Sequence, residues 1–345
     1  MGFKIFEDVC SREEFVAAKR VAIIGAGVAG LQTARQLVEA GIDCVIFEKA
    51  RDVGGVWREN YDDFGLQVPK ELYEFPGFPY PKDQGVDLFP RGPQVQRYIQ
   101  SYAEAYGLLR LIKFGTLVHS LEPLTDKRGW AVRFEHEGNM AVEEFDYCVM
   151  STGMYSGHPH LPQHKGAESF KGEILHSCTF LDKEQVKGKR VVVVGGGKSA
   201  VDNAVSAAKA GVSSTLLYRE AHWPVPRYLL NLIPFKWGTY SRLGHFMLHA
   251  SHDMGPVATW IHAVLAPLKW LFWRIVELMF RVQFRLSGDA VPEIPIEVDL
   301  FTGGQILTYE YRNMLKAGHV RGVLRGETPP SKEFPESTGR QKGAR

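Results

Sequence analysis

Two short glycine-rich segments carry the clearest chemical signal in the sequence. The first reads Gly25-x-Gly27-x-x-Gly30, and the second reads Gly195-Gly-Gly197-Lys198-Ser199-Ala200. In such a segment the first glycine permits a tight turn, the second lets the backbone approach a pyrophosphate, and the third lets a helix pack closely on the preceding strand. The amino end of that helix offers N–H groups and a positive dipole to phosphates. Both segments therefore predict dinucleotide sites.

An acidic residue and a further glycine pair follow the first segment. Glu48 ends the apolar run 44–47, where its carboxylate would accept hydrogen bonds from the adenosine ribose hydroxyls. Shortly after it comes a glycine pair whose backbone can approach an extended flavin cofactor. This pair belongs to the stretch Gly54-Gly55-Val56-Trp57. The first site is therefore predicted to bind FAD rather than NAD, with Gly55, Val56 and Trp57 among its contacts.

The second segment lacks that acidic residue. Counted from the first glycine of each segment, Glu48 corresponds to Tyr218, and Arg219 follows directly. A carboxylate there would repel a 2′-phosphate, whereas an arginine would attract it. Lys198 adds positive charge within the turn, and Glu220 weakens the case. The second site is thus predicted to bind NADPH, although an ordinary solvated Arg219 remains the alternative.

Each glycine turn lies in a strand–turn–helix–strand unit, the first over residues 20–48 and the second over 189–218. Units of this kind build doubly wound parallel sheets. We therefore expect an α/β protein with two Rossmann-like dinucleotide-binding domains, the NADPH domain inserted after the FAD domain. The expected ranges are 1–165 for the FAD domain, 166–326 for the NADPH domain with a Trp-rich helical insertion at 223–290, and 327–345 for a polar, disordered tail.

Two further strands are expected between the glycine turns. Residues 130–134 and 144–150 have strand-like composition and are separated by a turn around Gly138-Asn139.

The bulk composition excludes several classes of protein. A net charge of +2 gives no electrostatic reason to expect a nucleic-acid partner. The four cysteines contain no Cys-x-x-Cys pair, which disfavours a metal site and a redox disulfide. The first 20 residues carry charges throughout and lack the apolar core of a signal peptide. We expect a cytoplasmic protein without a metal site.

A motif between the glycine turns resembles the identifying motif of flavin-containing monooxygenases. It reads Phe170-x-Gly172-x-x-x-His176-x-x-x-Phe180 and lies just before the second glycine turn. The resemblance covers roughly residues 18–325 and is greatest to the plant and fungal branch of these class B flavoprotein monooxygenases. It includes residues 66–70, 73–76 and 151–153. In the family the last of these, with Thr152 at its centre, ends a strand of the flavin domain.

The resemblance implies an enzyme similar to NADPH-dependent N,N-dimethylaniline monooxygenase. NADPH would reduce FAD, O2 would form a peroxyflavin, and one oxygen atom would pass to a nucleophilic nitrogen or sulfur of a small-molecule substrate. Many members carry an asparagine near the flavin, and Gln67 takes that place here as the candidate catalytic residue. His176 is expected to stabilise the segment between the domains rather than act as a base.

Near its carboxyl end the sequence departs from the pattern of the family. Family members continue to a later strand with an alanine–threonine–glycine–tyrosine-like motif, which does not occur after Gly322. A flavin domain lacking its last elements would admit water, and a peroxyflavin would then collapse to hydrogen peroxide. The alternative to a coupled monooxygenase is therefore a catalytically impaired nucleotide-binding fragment or a leaky NADPH oxidase.

Residues 257–286 form a long apolar, Trp-rich stretch whose charges argue against a membrane span. Its polar positions fall within an arc of about 160° on a helical wheel: His262, Lys269, Arg274, Glu277, Arg281 and Arg285. Such a helix either makes a peripheral contact with an intracellular membrane or packs over the NADPH domain. The pattern alone leaves both open.

Overall fold

Two parallel βαβ arrangements, one in each half of the chain, organise the structure. The computed structural model describes residues 20–82, 85–125, 128–155, 159, 161–163, 166–230, 232–234, 236–239, 241–248, 254–302, 305–307 and 309–324. The chain divides into two compact units, which we call the N-terminal unit (through Gln185) and the C-terminal unit (from Val186). The tail expected at 327–345 lies outside the described residues.

The N-terminal unit contains a parallel and an antiparallel sheet. Its elements are β1 (Arg20–Ile24), α1 (Val28–Glu39), β2 (Asp43–Phe47), α2 (Gly92–Ala105), β3 (Ile112–Lys113), β4 (Thr116–Pro123), β5 (Trp130–His136), β6 (Asn139–Phe145) and β7 (Tyr147–Met150). The parallel sheet has the order β3-β2-β1-β7, and the antiparallel sheet has the order β4-β5-β6.

The first βαβ arrangement follows from the apolar pattern of its segments. After Arg20 every residue of β1 is buried, which is typical of a central parallel strand covered on both faces. The buried residues of α1 recur at helical spacing, with Leu31, Ala34 and Leu37 on the face toward the sheet. The turn between β1 and α1 therefore lies at the carboxyl edge of the sheet, where ligands bind in such folds.

The strand expected over residues 144–150 is in fact two strands. β6 ends at Phe145 and β7 begins at Tyr147, and the chain passes from one sheet to the other at Asp146. The backbone N–H of Arg20 donates to the carboxylate of Asp146 at 2.8 Å, and the N–H of Asp146 donates to the carbonyl of Arg20 at 3.0 Å. The sequence analysis missed this break because the residues on both sides of Asp146 have strand-like composition. The strand expected at 130–134 is present and extends to His136.

The C-terminal unit repeats the βαβ plan and adds a helical region. Its elements are β8 (Arg190–Val194), α3 (Lys198–Ala210), β9 (Ser213–Tyr218), β10 (Pro224–Pro226), β11 (Tyr228–Leu229), β12 (Ile233–Pro234), α4 (Lys236–Thr239), α5 (Arg242–Met247), α6 (Pro256–Val264), α7 (Ala266–Phe284), α8 (Ile296–Thr302), β13 (Gln305–Leu307), α9 (Tyr309–Lys316) and β14 (Val320–Leu324). The main sheet is parallel with the order β14-β9-β8.

The two βαβ arrangements match in register. Gly25 donates its N–H to the carbonyl of Phe47 at 2.8 Å, and Gly195 donates its N–H to the carbonyl of Leu217 at 2.9 Å. The predicted correspondence between Glu48 and Tyr218 is therefore correct, because each follows the strand residue that accepts this bond. Two Rossmann-like units in an α/β chain confirm the predicted fold class.

The two compact units divide between Gln185 and Val186, whereas the predicted FAD and NADPH domains divide at 165/166. The motif segment up to Phe180 belongs to the N-terminal unit. Phe180 is buried, and its carbonyl accepts the N–H of Asp62 at 2.8 Å. These contacts hold the segment on the first unit.

The range 223–290, predicted to be a helical insertion, contains the helices α4 to α7 and the short strands β10 to β12. Trp223, Phe280 and Ile296 are almost fully buried at its centre and tie α7 and α8 to the segment after β9. Within the described residues, no helix combines the length and hydropathy needed to cross a bilayer.

Candidate dinucleotide sites

Three sequence features of the predicted FAD site meet at Ala26. The buried N–H of Ala26 donates to Oε2 of Glu48 at 2.7 Å. Its carbonyl accepts the N–H of Gly54 at 3.1 Å. The first glycine turn, the acidic residue and the second glycine pair are thus joined through one peptide segment.

The carboxylate of Glu48 is fixed by backbone donors. Its Oε1 atom accepts the N–H of Ala50 at 2.8 Å, and the residue is only 6% exposed. Each carboxylate oxygen has a second lone pair that can accept a ligand hydroxyl. The structure therefore places Glu48 at the turn in a fixed orientation, and its contact with a ribose stays a prediction.

Two of the three glycines in the first turn are required by the protein itself. Gly25 has φ = +107°, and a Cβ there would lie 2.5 Å from the carbonyl oxygen of Ser151. A Cβ on Gly30 would lie 1.9 Å from the carbonyl oxygen of Gly25. Neither position can hold a side chain without moving the backbone.

Gly27 is different, because among the described residues the one atom found within 4 Å of its missing Cβ is the Cα of Gly55, at 3.8 Å. A Cβ on Gly55 would in turn lie 3.4 Å from the Cα of Gly27. Both positions face open space beside one another, and Gly55 and Val56 are exposed. This cradle, which side chains would fill, fits the close approach of a pyrophosphate.

The amino end of α1 has the features of an anion-binding helix terminus. Its N-cap, Gly27, provides no side-chain hydrogen bond, and the first turn contains no acidic residue. The first N–H groups of the helix therefore remain to be satisfied by a ligand or by water.

Thr152 lies beside the first glycine turn, and Trp57 lies just after the second glycine pair. The Cα of Thr152 is 3.6 Å from the point where a Cβ on Gly25 would stand. The indole N–H of Trp57 donates to the hydroxyl of Tyr73 at 2.5 Å, and its ring stacks on Phe64. Trp57 is therefore held as part of the N-terminal core, with its neighbours Gly55 and Val56 open.

Gln67 lies in a segment that is paired with a second stretch of backbone. The N–H groups of Leu66 and Lys70 donate to the carbonyls of Pro90 and Leu88, both at 2.9 Å. Leu66 is buried, and Gln67 beside it is half-buried. The segment is thus well anchored, and the role of Gln67 stays a prediction.

The motif that carried the resemblance has a local structural role. The ring of Phe170 covers Gly172, where a Cβ would lie 2.6 Å from the ring. Nδ1 of His176 accepts the N–H of Cys178 at 3.2 Å and so caps a single helical turn. These contacts shape the segment itself, which favours a structural role for His176 over a role as a base.

The second glycine turn has the same open design. Gly195 has φ = +149°, and in the part of the chain that the structure describes nothing lies within 4 Å of a Cβ built on Gly197. Helix α3 begins without a side-chain cap or an acidic first turn. Ser199 in that turn is exposed, whereas the methyl of Ala200 approaches Gly195 in place of the third glycine.

Lys198 contributes less charge to the second turn than the sequence suggests. Its ammonium group forms an ion pair with Asp202, one turn further along α3. Both side chains are only 10% exposed. The carboxylate offsets the charge of Lys198, so the attraction of a phosphate to the turn depends more on N–H groups and on other cations.

The side chains of Tyr218 and Arg219, at the end of β9, have different surroundings. The ring of Tyr218 lies against Gly322 of β14, where a Cβ would be 3.1 Å from the ring. Arg219 is exposed, and no ion pair to it occurs in the described part of the chain. Its guanidinium is thus available to a ligand beside the turn.

The structure places a further residue, His222, beside the second glycine turn. The sequence analysis did not identify it. Its Cδ2 atom is 3.7 Å from the point where a Cβ on Gly196 would stand. Its Nδ1 atom pairs with Asp299 of α8. No local pattern signals this pair, because its members are 77 positions apart.

Comparison with known proteins identifies the family. The profile of the flavin-binding monooxygenase-like family matches residues 18–263, a range that contains both glycine turns. A probable flavin-containing monooxygenase 1 of Arabidopsis thaliana is 33% identical over 274 residues, which is 69% of this chain and 51% of the relative. Flavin-containing monooxygenase 5 of Rattus norvegicus is 35% identical over 61% of this chain and 42% of its own length. The chain spans about half the length of these curated relatives.

Solved structures agree with the fold. An S-allyl-L-cysteine S-oxygenase from Allium sativum is 27% identical, with a TM-score of 0.54 over 58% of this chain and 51% of that one. A structure of OTEMO in complex with FAD and NADP has a TM-score of 0.63 over 89% of this chain and 66% of that one, and its 21% identity supports the fold alone. With both glycine turns and the intervening motif inside the matched range, this chain belongs to the flavin-binding monooxygenase-like family.

Proposed function

We propose that this chain is an FAD- and NADPH-dependent monooxygenase that transfers one oxygen atom of O2 to a nucleophilic nitrogen or sulfur of a small molecule. The observation that carries the proposal is the junction at Ala26, which joins the glycine turn, Glu48 and Gly54 around an open cradle. Family membership supports the class of reaction.

The N-terminal unit holds FAD in this proposal. Gly27 and Gly55 admit the pyrophosphate, the amino end of α1 binds it, and Glu48 accepts the ribose hydroxyls. When bound, the flavin supplies the redox and oxygen-activating chemistry. The protein orients the cofactor and limits its contact with water.

The C-terminal unit holds NADPH. The open turn at Gly197 and the amino end of α3 bind the pyrophosphate. Arg219 and His222 border the turn and provide the contacts for the 2′-phosphate.

Cysteine chemistry is not needed for this reaction. Burial raises the pKa of Cys44 and of Cys148 to about 11, so both thiols stay protonated near neutral pH. Cys44, Cys148 and Cys178 are free cysteines in the described part of the chain, in keeping with the proposed cytoplasmic location.

Nitrogen and sulfur are proposed as acceptors because relatives of both kinds occur. One solved relative is named as an S-oxygenase of S-allyl-L-cysteine, and one human relative is named as a putative N-oxide-forming dimethylaniline monooxygenase. A thioether and a tertiary amine are therefore the first substrates to test.

The test measures NADPH oxidation, O2 uptake, hydrogen peroxide and product together on the 345-residue protein. We expect S-oxide or N-oxide formation that accounts for most of the NADPH consumed. The Gly197→Val variant is the matched control, since it should keep flavin and lose turnover. Oxygen uptake matched mainly by peroxide would instead identify a leaky NADPH oxidase. Nucleotide binding without bound flavin would identify a non-catalytic nucleotide-binding protein.

A further inference from the structure

A buried carboxylate and the second glycine turn lie on opposite sides of one imidazole. Nδ1 of His222 is 2.9 Å from Oδ1 of Asp299. On the other side of the ring, Cδ2 is 3.7 Å from the point where a Cβ on Gly196 would stand. Because Cδ2 is bonded to Nε2, the ring edge that carries Nε2 is the one nearer the turn. The imidazole therefore has one nitrogen at an acid and the other on the side of the coenzyme site.

The turn side of His222 lies near the ribose end of the proposed coenzyme. The Cβ of Tyr218 is 3.5 Å from the same point beside Gly196. Tyr218 is the counterpart of Glu48, and this position at the end of the second strand meets the adenosine ribose in such folds. The 2′-phosphate of NADPH is attached to that ribose. His222 and Tyr218 thus border the turn where the 2′-phosphate would bind.

The carboxylate of Asp299 is held in one orientation. Its side chain is fully buried, and its Oδ2 atom accepts the backbone N–H of Trp223 at 2.6 Å. The indole N–H of Trp223 donates to the carbonyl of Ile294 at 2.7 Å, which ties this segment to the residues before α8. Both oxygens of the carboxylate are engaged, so Oδ1 stays directed at the imidazole.

The acid determines which nitrogen of the imidazole carries a proton. An ionised carboxylate has only acceptor atoms, so Nδ1 of His222 carries the proton between the two groups. In a neutral imidazole the other nitrogen, Nε2, is then an acceptor. A phosphate oxygen is an acceptor as well and finds no donor there. A second proton on Nε2 gives an imidazolium, which donates a charge-assisted hydrogen bond to the phosphate.

Charged groups on the neighbouring elements are engaged elsewhere. Arg274 of α7 lies 2.6 Å from Glu297 of α8, and Lys198 of α3 forms its ion pair with Asp202. In the described part of the chain, the imidazole makes no ion pair besides the one with the buried acid. Its charge therefore depends on that acid and on what binds at the turn.

Two exposed charges of opposite sign precede the imidazole in the chain. Arg219 and Glu220 are both open to solvent, which screens their fields at the ring. An arginine keeps its charge throughout the pH range of coenzyme binding. Arg219 therefore adds affinity for a phosphate without exchanging a proton.

We propose that NADPH binding is coupled to proton uptake at His222, and that Asp299 is the positioning residue that makes this second proton necessary. One proton passes from solvent to Nε2 as the 2′-phosphate binds, and it returns to solvent when the coenzyme dissociates. The affinity for NADPH therefore falls as the pH rises, because the complex binds more protons than the free protein. NADH lacks the 2′-phosphate and shows no such dependence. The inference rests on the proposed NADPH site and adds its regulation by pH.

The test is isothermal titration calorimetry of the purified 345-residue protein with NADP+, which carries the same 2′-phosphate and cannot reduce a flavin. The titrations are run at about pH 7.5, where a phosphate monoester is already a dianion. Two buffers with different enthalpies of ionisation are compared, because the difference in binding heat gives the number of protons taken up. We expect about half a proton per NADP+, and hence a roughly threefold rise in Kd per pH unit. NAD+ should show neither effect.

Replacing the acid by its amide tests the positioning role directly. In Asp299→Asn the N–H of Trp223 keeps the amide oxygen in the place of Oδ2, so the amide nitrogen donates to Nδ1 of His222. The neutral imidazole then carries its proton on Nε2. This variant should still bind NADP+ more tightly than NAD+, but without proton uptake. An acid with a merely structural role would leave the proton count unchanged.

Two histidine variants complete the experiment. His222→Gln should abolish the uptake, because an amide does not take up a proton. His319→Gln is the matched control, since His319 is an exposed histidine of the same unit, and it should take up as many protons as the wild type.

The possible outcomes are distinct. Uptake that NAD+ does not cause, that Asp299→Asn and His222→Gln abolish and that His319→Gln keeps, supports the inference. NADP+ binding with the same heat in both buffers overturns it and leaves the coenzyme site standing, and this wild-type result decides even if Asp299→Asn does not fold. Uptake retained in His222→Gln overturns it too, because another group then accepts the proton. Absence of NADP+ binding would overturn the proposed function together with the inference.

Discussion

His222 and Asp299 form a fixed pair beside the second glycine turn. Nδ1 of His222 lies 2.9 Å from Oδ1 of Asp299, whose side chain is fully buried. The second oxygen of Asp299 accepts the N–H of Trp223 at 2.6 Å, so the carboxylate cannot turn away. A buried acid thereby sets the orientation of an imidazole that borders Gly196.

The first prediction concerns this imidazole. His222→Gln should raise the Kd for NADPH about tenfold, the loss of one charge-assisted hydrogen bond to phosphate, and should change the Kd for NADH little. Equilibrium titration with each coenzyme measures the difference. His319→Gln is the control, because His319 is exposed and directly precedes β14, at the amino ends of the strands whose carboxyl ends carry the second glycine turn. An equal loss for both coenzymes would show that His222 does not contact the 2′-phosphate.

The second prediction concerns Arg219. Arg219→Ala should weaken NADPH binding by about 1.5–3 kcal/mol through loss of a charge-assisted phosphate contact. NADH binding should stay nearly unchanged, since NADH lacks the 2′-phosphate. Arg190→Ala, at the amino end of β8, is the control for losing one positive charge elsewhere in the same unit. If Arg219→Ala changes the Kd for NADPH no more than Arg190→Ala does, then Arg219 is an ordinary surface residue.

The third prediction separates structural glycines from ligand-contacting ones. Gly30→Ala should lower the free energy of unfolding by about 3 kcal/mol, because its Cβ meets the carbonyl oxygen of Gly25. Gly27→Ala should cost the apoprotein little, since its Cβ has a normal contact distance to Gly55. Denaturant unfolding of the flavin-free proteins compares them. Equal stability of the two variants would contradict the close packing of α1 on its turn.

The fourth prediction is acid sensitivity of the helical region. Burial, and then the nearby charges of Lys269 and His245, lower the pKa of His262 below its usual 6.5. The folded state therefore binds fewer protons than the unfolded state between the two pKa values, and stability falls as the pH drops through about 6.5. The Tm of His262→Gln should fall less over this range than that of the wild type. His319→Gln should follow the wild type, and parallel curves for all three proteins would contradict the assignment.

The sequence predicted the parts of the fold that depend on local pattern. The spacing of Gly25, Gly27 and Gly30 and the match of Glu48 to Tyr218 follow from repeated βαβ geometry, which a single sequence reveals. The role of Gly30 follows directly from its contact with Gly25. Such features are local, since each depends on residues close together in the chain or on a repeated unit.

Other features depend on long-range contacts that a sequence pattern does not encode. Asp299 reaches His222 from a distant helix, 77 positions along the chain. Asp202, by contrast, lies one helical turn from Lys198, a local spacing that the sequence analysis overlooked. The inward direction of His262 likewise depends on its contacts with Lys269 and Phe246, and helical periodicity does not predict it. The stretch 257–286, treated as one helix in the sequence analysis, forms the two helices α6 and α7, and its hydropathy could not predict which face would remain exposed.

The central claim is that the first turn holds FAD and the second holds NADPH. Its most direct test is the visible spectrum of the purified protein before and after anaerobic addition of NADPH, compared for the wild type, Gly27→Val and Gly197→Val. We predict a yellow wild type that NADPH bleaches, a colourless but folded Gly27→Val, and a yellow Gly197→Val that the same NADPH leaves unbleached. Stoichiometric flavin in Gly27→Val, or normal bleaching in Gly197→Val, would contradict the account.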